Sequence, residues 1–235
     1  MIKLIAAIIM LLDHVGFIMQ NRPSLYFSLC VIGRIAMPLF AYTVARGYAY
    51  SKAHGATVKY LRNLSVFSLI SQLPYYLLRG AGTNIGVTWL LAVLVLINYE
   101  FLRERIALIN QGCTRKLEKF LIVAPLLAIL CLLVLAELIK VDFGISAISL
   151  CFMFYLMEHK QTRSFGPYVL AVLLSCLIYL IVRNGSLIQI FAILSVPVLL
   201  MAQKWDNLVY LPKWFFYLFY PAHMAILFSV SKLAH

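Results

Sequence analysis

The chain has 235 residues, of which 64% are hydrophobic and only 12% charged, and its mean hydropathy is +0.95. A soluble globular domain carries roughly 25% charged residues, so this composition excludes one. It predicts an all-α, polytopic bundle of transmembrane helices forming a single domain. The net charge of +12 would suggest nucleic acid in a soluble protein. In a membrane protein, basic residues concentrate in short cytoplasmic loops, and no nucleic-acid partner is expected.

Apolar runs and the breakers between them predict about nine helices. The first covers 2–19 and ends at Gln20-Asn21-Arg22-Pro23. Asp13-His14 interrupts it and no small-residue cleavage site follows, so it is expected to stay as a helix rather than act as a signal peptide. The second covers 25–50 and contains Gly33-Arg34-Ile35-Ala36-Met37-Pro38-Leu39-Phe40. The third covers 57–78, carries Ser71-Gln72-Leu73-Pro74-Tyr75-Tyr76, and turns at Arg79-Gly80-Ala81-Gly82. The fourth, 85–102, follows Asn84; the fifth is 117–138; the sixth, 143–157, follows Asp142. The seventh is 167–182 and the eighth 187–201, with Asn184-Gly185 as the turn between them. The sixth and eighth are short enough to be half-helices or parts of a merged element. The ninth, 212–230, holds Phe216-Tyr217-Leu218-Phe219-Tyr220-Pro221-Ala222-His223. Cys30, Cys113, Cys131, Cys151 and Cys176 are scattered without metal-ligand spacing, and are expected to act as small apolar packing residues. No metal is expected.

Assigning the loops alternately from a cytoplasmic N-terminus places Lys3, Arg46, Lys52, Lys59, Arg62, Arg103, Arg105, Arg115, Lys116, Lys119, Lys160, Arg163, Lys204 and Lys213 inside. Only Arg22, Arg79, Lys140, Arg183 and Lys232 fall outside. That bias predicts a cytoplasmic N-terminus and an external C-terminus. At roughly 1.5 Å per residue, His14 then lies in the outer half of its helix, Arg34 and His223 near the middle, and Asn84, Asp142, Arg79 and Arg183 at outer ends. His54 and His159 fall in cytoplasmic loops and read as ordinary surface residues.

A charge at a membrane-helix centre costs about 2.5–3.5 kcal/mol. Folding a bundle does not require that cost, so Asp13, His14 and Arg34 are site candidates. Adjacent helical residues do not face each other, so Asp13 is expected to pair with Arg34 rather than with His14. That pair can be a buried salt bridge without chemistry. A titratable imidazole beside it suits a general base, or otherwise glue between helices. In the ninth helix Tyr217, Tyr220 and His223 follow at three-residue steps, and a tyrosine hydroxyl needs a partner that His223 can supply. Gln72 is a polar contact candidate or helix–helix glue. The basic loops at 46–62 and 103–119 enforce topology or bind the phosphates of a nucleotide-like donor. No phosphate-binding loop, serine-nucleophile elbow or zinc-peptidase motif is present.

Six blocks resemble the TraX family of F-pilin N-acetylation proteins. They are Met10-Leu11-Leu12-Asp13-His14, the 33–40 and 71–76 stretches quoted above, Asn84 with its apolar run, Asp142-Phe143-Gly144-Ile145, and the 216–223 stretch. They run from end to end in the family's order. The resemblance implies a multi-pass acetyltransferase of the bacterial inner membrane, with its C-terminus periplasmic and acetyl-CoA as donor. It is similar, more distantly, to membrane acyltransferases of sugars in which an early-helix histidine serves catalysis. With that activity, the residues singled out above are expected to take these roles: His14, Asp13, Arg34 and His223 would form the catalytic group. Lys59, Arg62, Arg115 and Lys116 would hold acetyl-CoA. Asn84, Gln72, Tyr220 and Asp142 would serve the acceptor or the oxyanion, alongside Arg34. The acceptor would be a pilin N-terminal amine or another envelope amine or hydroxyl, reached either directly or through an acetyl-histidine. A non-enzymatic pilus or envelope assembly factor and a small-molecule transporter are the alternatives. The inverted repeat that a transporter would carry is not evident in the sequence.

Overall fold

The computed structural model describes residues 1–111, 116–204 and 213–233. Its helices are α1 (Ile2–Ile18), α2 (Pro23–Gly33), α3 (Ala36–Ala53), α4 (Thr57–Arg79), α5 (Ile85–Asn110), α6 (Lys116–Leu138), α7 (Gly144–His159), α8 (Phe165–Arg183), a 3₁₀ helix (Leu187–Leu194), α9 (Ser195–Lys204) and α10 (Lys213–Leu233). Helix α2 continues into α3 through one break, and the 3₁₀ segment continues into α9. The described residues thus form nine helical runs, as the sequence predicts.

Two of the expected single helices are interrupted. Pro38 has no N–H to give the carbonyl of Arg34, one turn earlier, and its ring crowds that carbonyl. The turn opens there: Ile35 N–H bonds the carbonyl of Ile32 at 3.1 Å, three residues back. The 187–201 run begins as a 3₁₀ helix, capped by Ser186, whose Oγ accepts from Ile188 N–H at 3.3 Å.

Helix α3 is the central element, packing chiefly on α7 and touching α1, α4, α5 and α9. It buries Met37, Leu39, Ala41, Tyr42, Ala45 and Tyr48. The runs Pro23–Ala53, Ile85–Asn110, Leu121–Leu138 and Phe165–Arg183 are long and apolar enough to cross a membrane. Helix α4, which carries Lys59, Arg62, Asn63, Gln72 and Arg79, is not among these runs, and its serines face inward. Ser68 and Ser71 are buried while Leu69, Ile70, Leu73 and Leu77 are exposed. That arrangement inverts the amphipathicity of a soluble helix and fits an apolar surround.

The turns gather at two polar ends. At one, Thr83 lies beside Val141 in a single parallel bridge. Asp142 N–H donates to Thr83 O at 3.0 Å, and Thr88 Oγ1 donates to Asp142 O at 2.8 Å. Glu137 pairs with Arg183 and accepts from Ile145 N–H at 2.8 Å. Gly144 sits there at φ +54°, where a Cβ would meet the Glu137 carboxylate at 2.2 Å. At the other end Glu100 is buried and takes both Lys52 and Arg103, and Arg46 faces Glu158 at 3.8 Å. The alternation of loops read from the sequence is therefore reproduced in space.

Helices α1 and α2 approach closely over two glycines, as small residues permit in membrane bundles. A Cβ on Gly16 would lie 2.9 Å from Leu29 Cβ, and one on Gly33 2.0 Å from Asp13 Oδ1. Gly33→Ala is expected to destabilise the fold by about 1–3 kcal/mol, the cost of overpacking. Thermal unfolding in detergent measures it against Gly166→Ala, where a Cβ meets nothing within 4 Å. Equal melting temperatures for the two variants would contradict this reading of the α1–α2 seam.

Candidate functional site

The 100° step between successive helical residues sends Asp13 and His14 to different neighbours. Asp13 reaches α2, where its Oδ1 accepts from Arg34 Nη2 at 2.7 Å. This is the pair expected from the sequence. Arg34 stands at the helix break, so its guanidinium can turn back: Nε donates to Cys30 O at 3.2 Å, and Nη1 to Gln189 Oε1 at 3.4 Å. Its guanidinium also lies 5.7 Å from the centre of the Phe143 ring. The Asp13 and Arg34 side chains keep 16% and 18% of their surface exposed, so the pair is not sealed.

His14 reaches α10. Its Nδ1 lies 2.8 Å from His223 Nε2, and His223 Nδ1 lies 2.8 Å from the carbonyl of Phe219. Both rings are buried. The expected partner of His223 was a tyrosine hydroxyl; the structure gives it His14 instead. The tautomers follow from the partners. A carbonyl only accepts, so His223 carries its proton on Nδ1 and, when neutral, presents a lone pair at Nε2. His14 must then donate from Nδ1, which leaves His14 Nε2 as a bare lone pair. The chain of contacts prepares one imidazole nitrogen as a base.

Tyr220 packs beside both rings, at 6.1 Å from His14 and 5.5 Å from His223 between ring centroids. Its buried hydroxyl has no hydrogen-bond partner among the described residues. Asp142 is in electrostatic reach of Arg79, Asp13, Arg34 and Arg183, so it joins the same polar end. Arg79 also lies over the Phe17 ring at 4.6 Å. The sequence reading left Arg79, Phe143 and Gln189 out of the site. A lone amide within the apolar 187–194 run was the available signal for Gln189.

Asn84 corrects the expectation that it serves the acceptor or the oxyanion, and Gln72 is its partner. Asn84 caps α5: its Oδ1 accepts from Gly86 N–H at 2.8 Å. Its Nδ2 donates to Ser68 O at 2.8 Å and to Gln72 Oε1 at 2.7 Å. Gln72 Nε2 donates to Gly82 O at 3.1 Å. These amides hold the 80–84 turn against α4; both N–H groups of Asn84 Nδ2 are taken, whereas Gln72 Nε2 spends one of its two on Gly82 O. Lys59 and Arg62 are exposed near the start of α4, at the end opposite His14. Arg115 lies outside the described residues, as does the side chain of Lys116.

Among the described residues no group of histidine, cysteine and acidic side chains could hold a metal ion. No curated protein and no solved structure matches the chain. The sequence profile of the family described as TraX protein matches residues 1–231. That span includes every element of the site, and the chain belongs to the TraX family.

Proposed function

We propose that the protein is a membrane-embedded acetyltransferase that moves an acetyl group from acetyl-CoA to an acceptor on the far side of the membrane. The observation that carries this reading is the Phe219–His223–His14 hydrogen-bond chain, which leaves a bare Nε2 on a buried imidazole beside the Asp13–Arg34 pair. The family is linked to pilin processing in conjugation, which supports a pilin N-terminal amine as the acceptor; another envelope amine or hydroxyl suits the same chemistry.

The acceptor's nitrogen or oxygen attacks the thioester carbonyl carbon while His14 Nε2 takes its proton. Charge develops on the carbonyl oxygen, where Arg34 and the unpartnered Tyr220 hydroxyl are the available donors. The C–S bond then breaks, and the departing thiolate recovers the proton from His14. His223 is a positioning residue in this scheme: it fixes the ring and tautomer of His14. The basic end carrying Lys52, Lys59, Arg62 and Arg103 suits the anionic donor and, by the positive-inside rule, faces the cytoplasm of an inner membrane.

His14→Ala is expected to slow transfer by about 10²–10⁴-fold at equal folded protein, the range for losing a general base. His223→Ala should lower kcat by less and leave the KM for acetyl-CoA unchanged. Purified protein with isotopically labelled acetyl-CoA and envelope extracts as acceptor supplies the measurement. A His14→Ala variant retaining more than about a tenth of the wild-type rate would remove it as the base.

The sidedness is tested separately. Reporters fused after Gly55 should read as cytoplasmic and those after Gly185 as periplasmic. The reverse pattern would place the donor and acceptor on exchanged sides.

A further inference from the structure

Buried side-chain atoms without a hydrogen-bond partner are uncommon in folded proteins, and each calls for a reason. Among the described residues they are the hydroxyls of Tyr42, Ser71, Ser195 and Tyr220, Gln189 Nε2, and Nε of Arg183, which is ion-paired with Glu137. The Tyr220 hydroxyl adjoins the histidine pair. Gln189 Nε2, Ser195 Oγ and the Tyr42 hydroxyl instead belong to helices that pack together, α3 and the 3₁₀–α9 run. All three residues are nearly inaccessible, at 1%, 0% and 1% exposure.

The orientation of the Gln189 amide is fixed by its neighbour. Arg34 only donates, so the amide oxygen must face it and Nε2 is the atom left over. In a 3₁₀ helix residues three apart share a face, so Gln189, Ala192 and Ser195 form one inward stripe, with a small residue between the two polar ones. Ser195 lies about 12 Å along that stripe from Gln189 at about 2.0 Å per residue. Tyr42 lies about 12 Å down α3 from Arg34 at about 1.5 Å per residue. Arg34 and Gln189 touch, and α3 packs on both the 3₁₀ segment and α9. Further along α3, Tyr42 is in electrostatic reach of Glu158, Arg46 and Arg163, and Glu158 faces Arg46 at 3.8 Å. Arg163 also donates to Gln203 Oε1 at 3.4 Å, whose Nε2 donates to the Tyr168 hydroxyl at 3.2 Å. The line from Arg34 to Arg46 along α3 is about 18 Å. It has arginines at both ends and unpartnered hydrogen-bonding groups between them.

We propose that this seam is a binding track for the amide-bearing arm of the acyl donor, a phosphopantetheine-type chain, with its phosphates at Arg46 and Arg163 and its acyl end at Arg34. The assignment rests on the acetyl-CoA reading and specifies where that donor lies. Amide carbonyls of the arm accept from Gln189 Nε2 and the hydroxyls; an amide N–H donates to a hydroxyl oxygen.

The track has a signature that a structural role cannot give. A group whose partner is a ligand destabilises the unliganded protein, so its removal leaves the unliganded fold as stable or more so while weakening the ligand. The test uses Ser195→Ala and Tyr42→Phe, which leave the Arg34–Gln189 contact intact. Melting temperatures of the purified protein are read with and without CoA, and CoA affinity is measured by calorimetry. Each variant should melt at or above the wild-type temperature without CoA and bind CoA about 3–10-fold more weakly, as expected for one lost hydrogen bond. Adenosine 3′,5′-bisphosphate, which lacks the arm, should bind wild type and variants alike. Variants that melt lower or fail to fold, or that bind CoA as wild type does, overturn the track. Variant-sensitive CoA binding by a wild type that transfers no acetyl group retains the track and removes the transfer reading. Transfer with CoA binding unchanged in both variants does the opposite, and a wild type that does not bind CoA removes both.

Discussion

The fold is organised around one costly interaction, a carboxylate and a guanidinium held in an apolar bundle. Asp13 and Arg34 neutralise each other at 2.7 Å, and removing one partner would strand the other at a cost of about 3–5 kcal/mol. Local features of α1 to α3 serve that contact. Gly33 gives Asp13 the space to approach. Pro38 opens the helix one turn earlier, at Arg34. The freed arginine reaches the Cys30 carbonyl, Asp13 and Gln189 together. The same anchoring fixes α1 in rotation and so delivers His14, one residue on, to α10.

The polar interior is distributed rather than central. Apolar side chains of α3, α5 and α7 pack between a histidine-bearing end and a basic end. Serines of α4 turn inward, and polar residues of the 80–84 and 139–144 turns bond one another. At the histidine end the hydroxyl of Tyr220 is left without a protein partner. On the proposed reading that is the place for a ligand oxygen, since a permanently unsatisfied buried hydroxyl would otherwise only weaken the fold.

Much of this was legible in the sequence, for reasons that differ by residue. Nine apolar runs and the alternation of basic loops were readable because membrane helices must satisfy their backbone internally and so have a fixed length. Asp13–Arg34 was readable because two charges in adjacent apolar runs have few other ways to be neutralised. His14–His223 was not, since nothing local links positions 209 residues apart; the sequence offered His223 only the tyrosines on its own helix. Asn84 was misassigned although its position held the answer: an asparagine directly before an apolar run is an N-cap signal. The break at Arg34 was within reach from Pro38, whereas the 3₁₀ turn at 187–194 reflects packing beside α8 and α2 that no local propensity encodes.

The central claim is that His14 is held with a bare Nε2 by an oriented chain of hydrogen bonds. Nitrogen-15 NMR of histidine-labelled protein in lipid bilayers, with assignments from His14→Gln and His223→Gln, reads the protonation of each ring nitrogen directly. The account predicts protons on Nδ1 of both residues, with coupling across the 2.8 Å contact between His14 Nδ1 and His223 Nε2. A proton on His14 Nε2 in the neutral protein, or no coupling between the two rings, would contradict it.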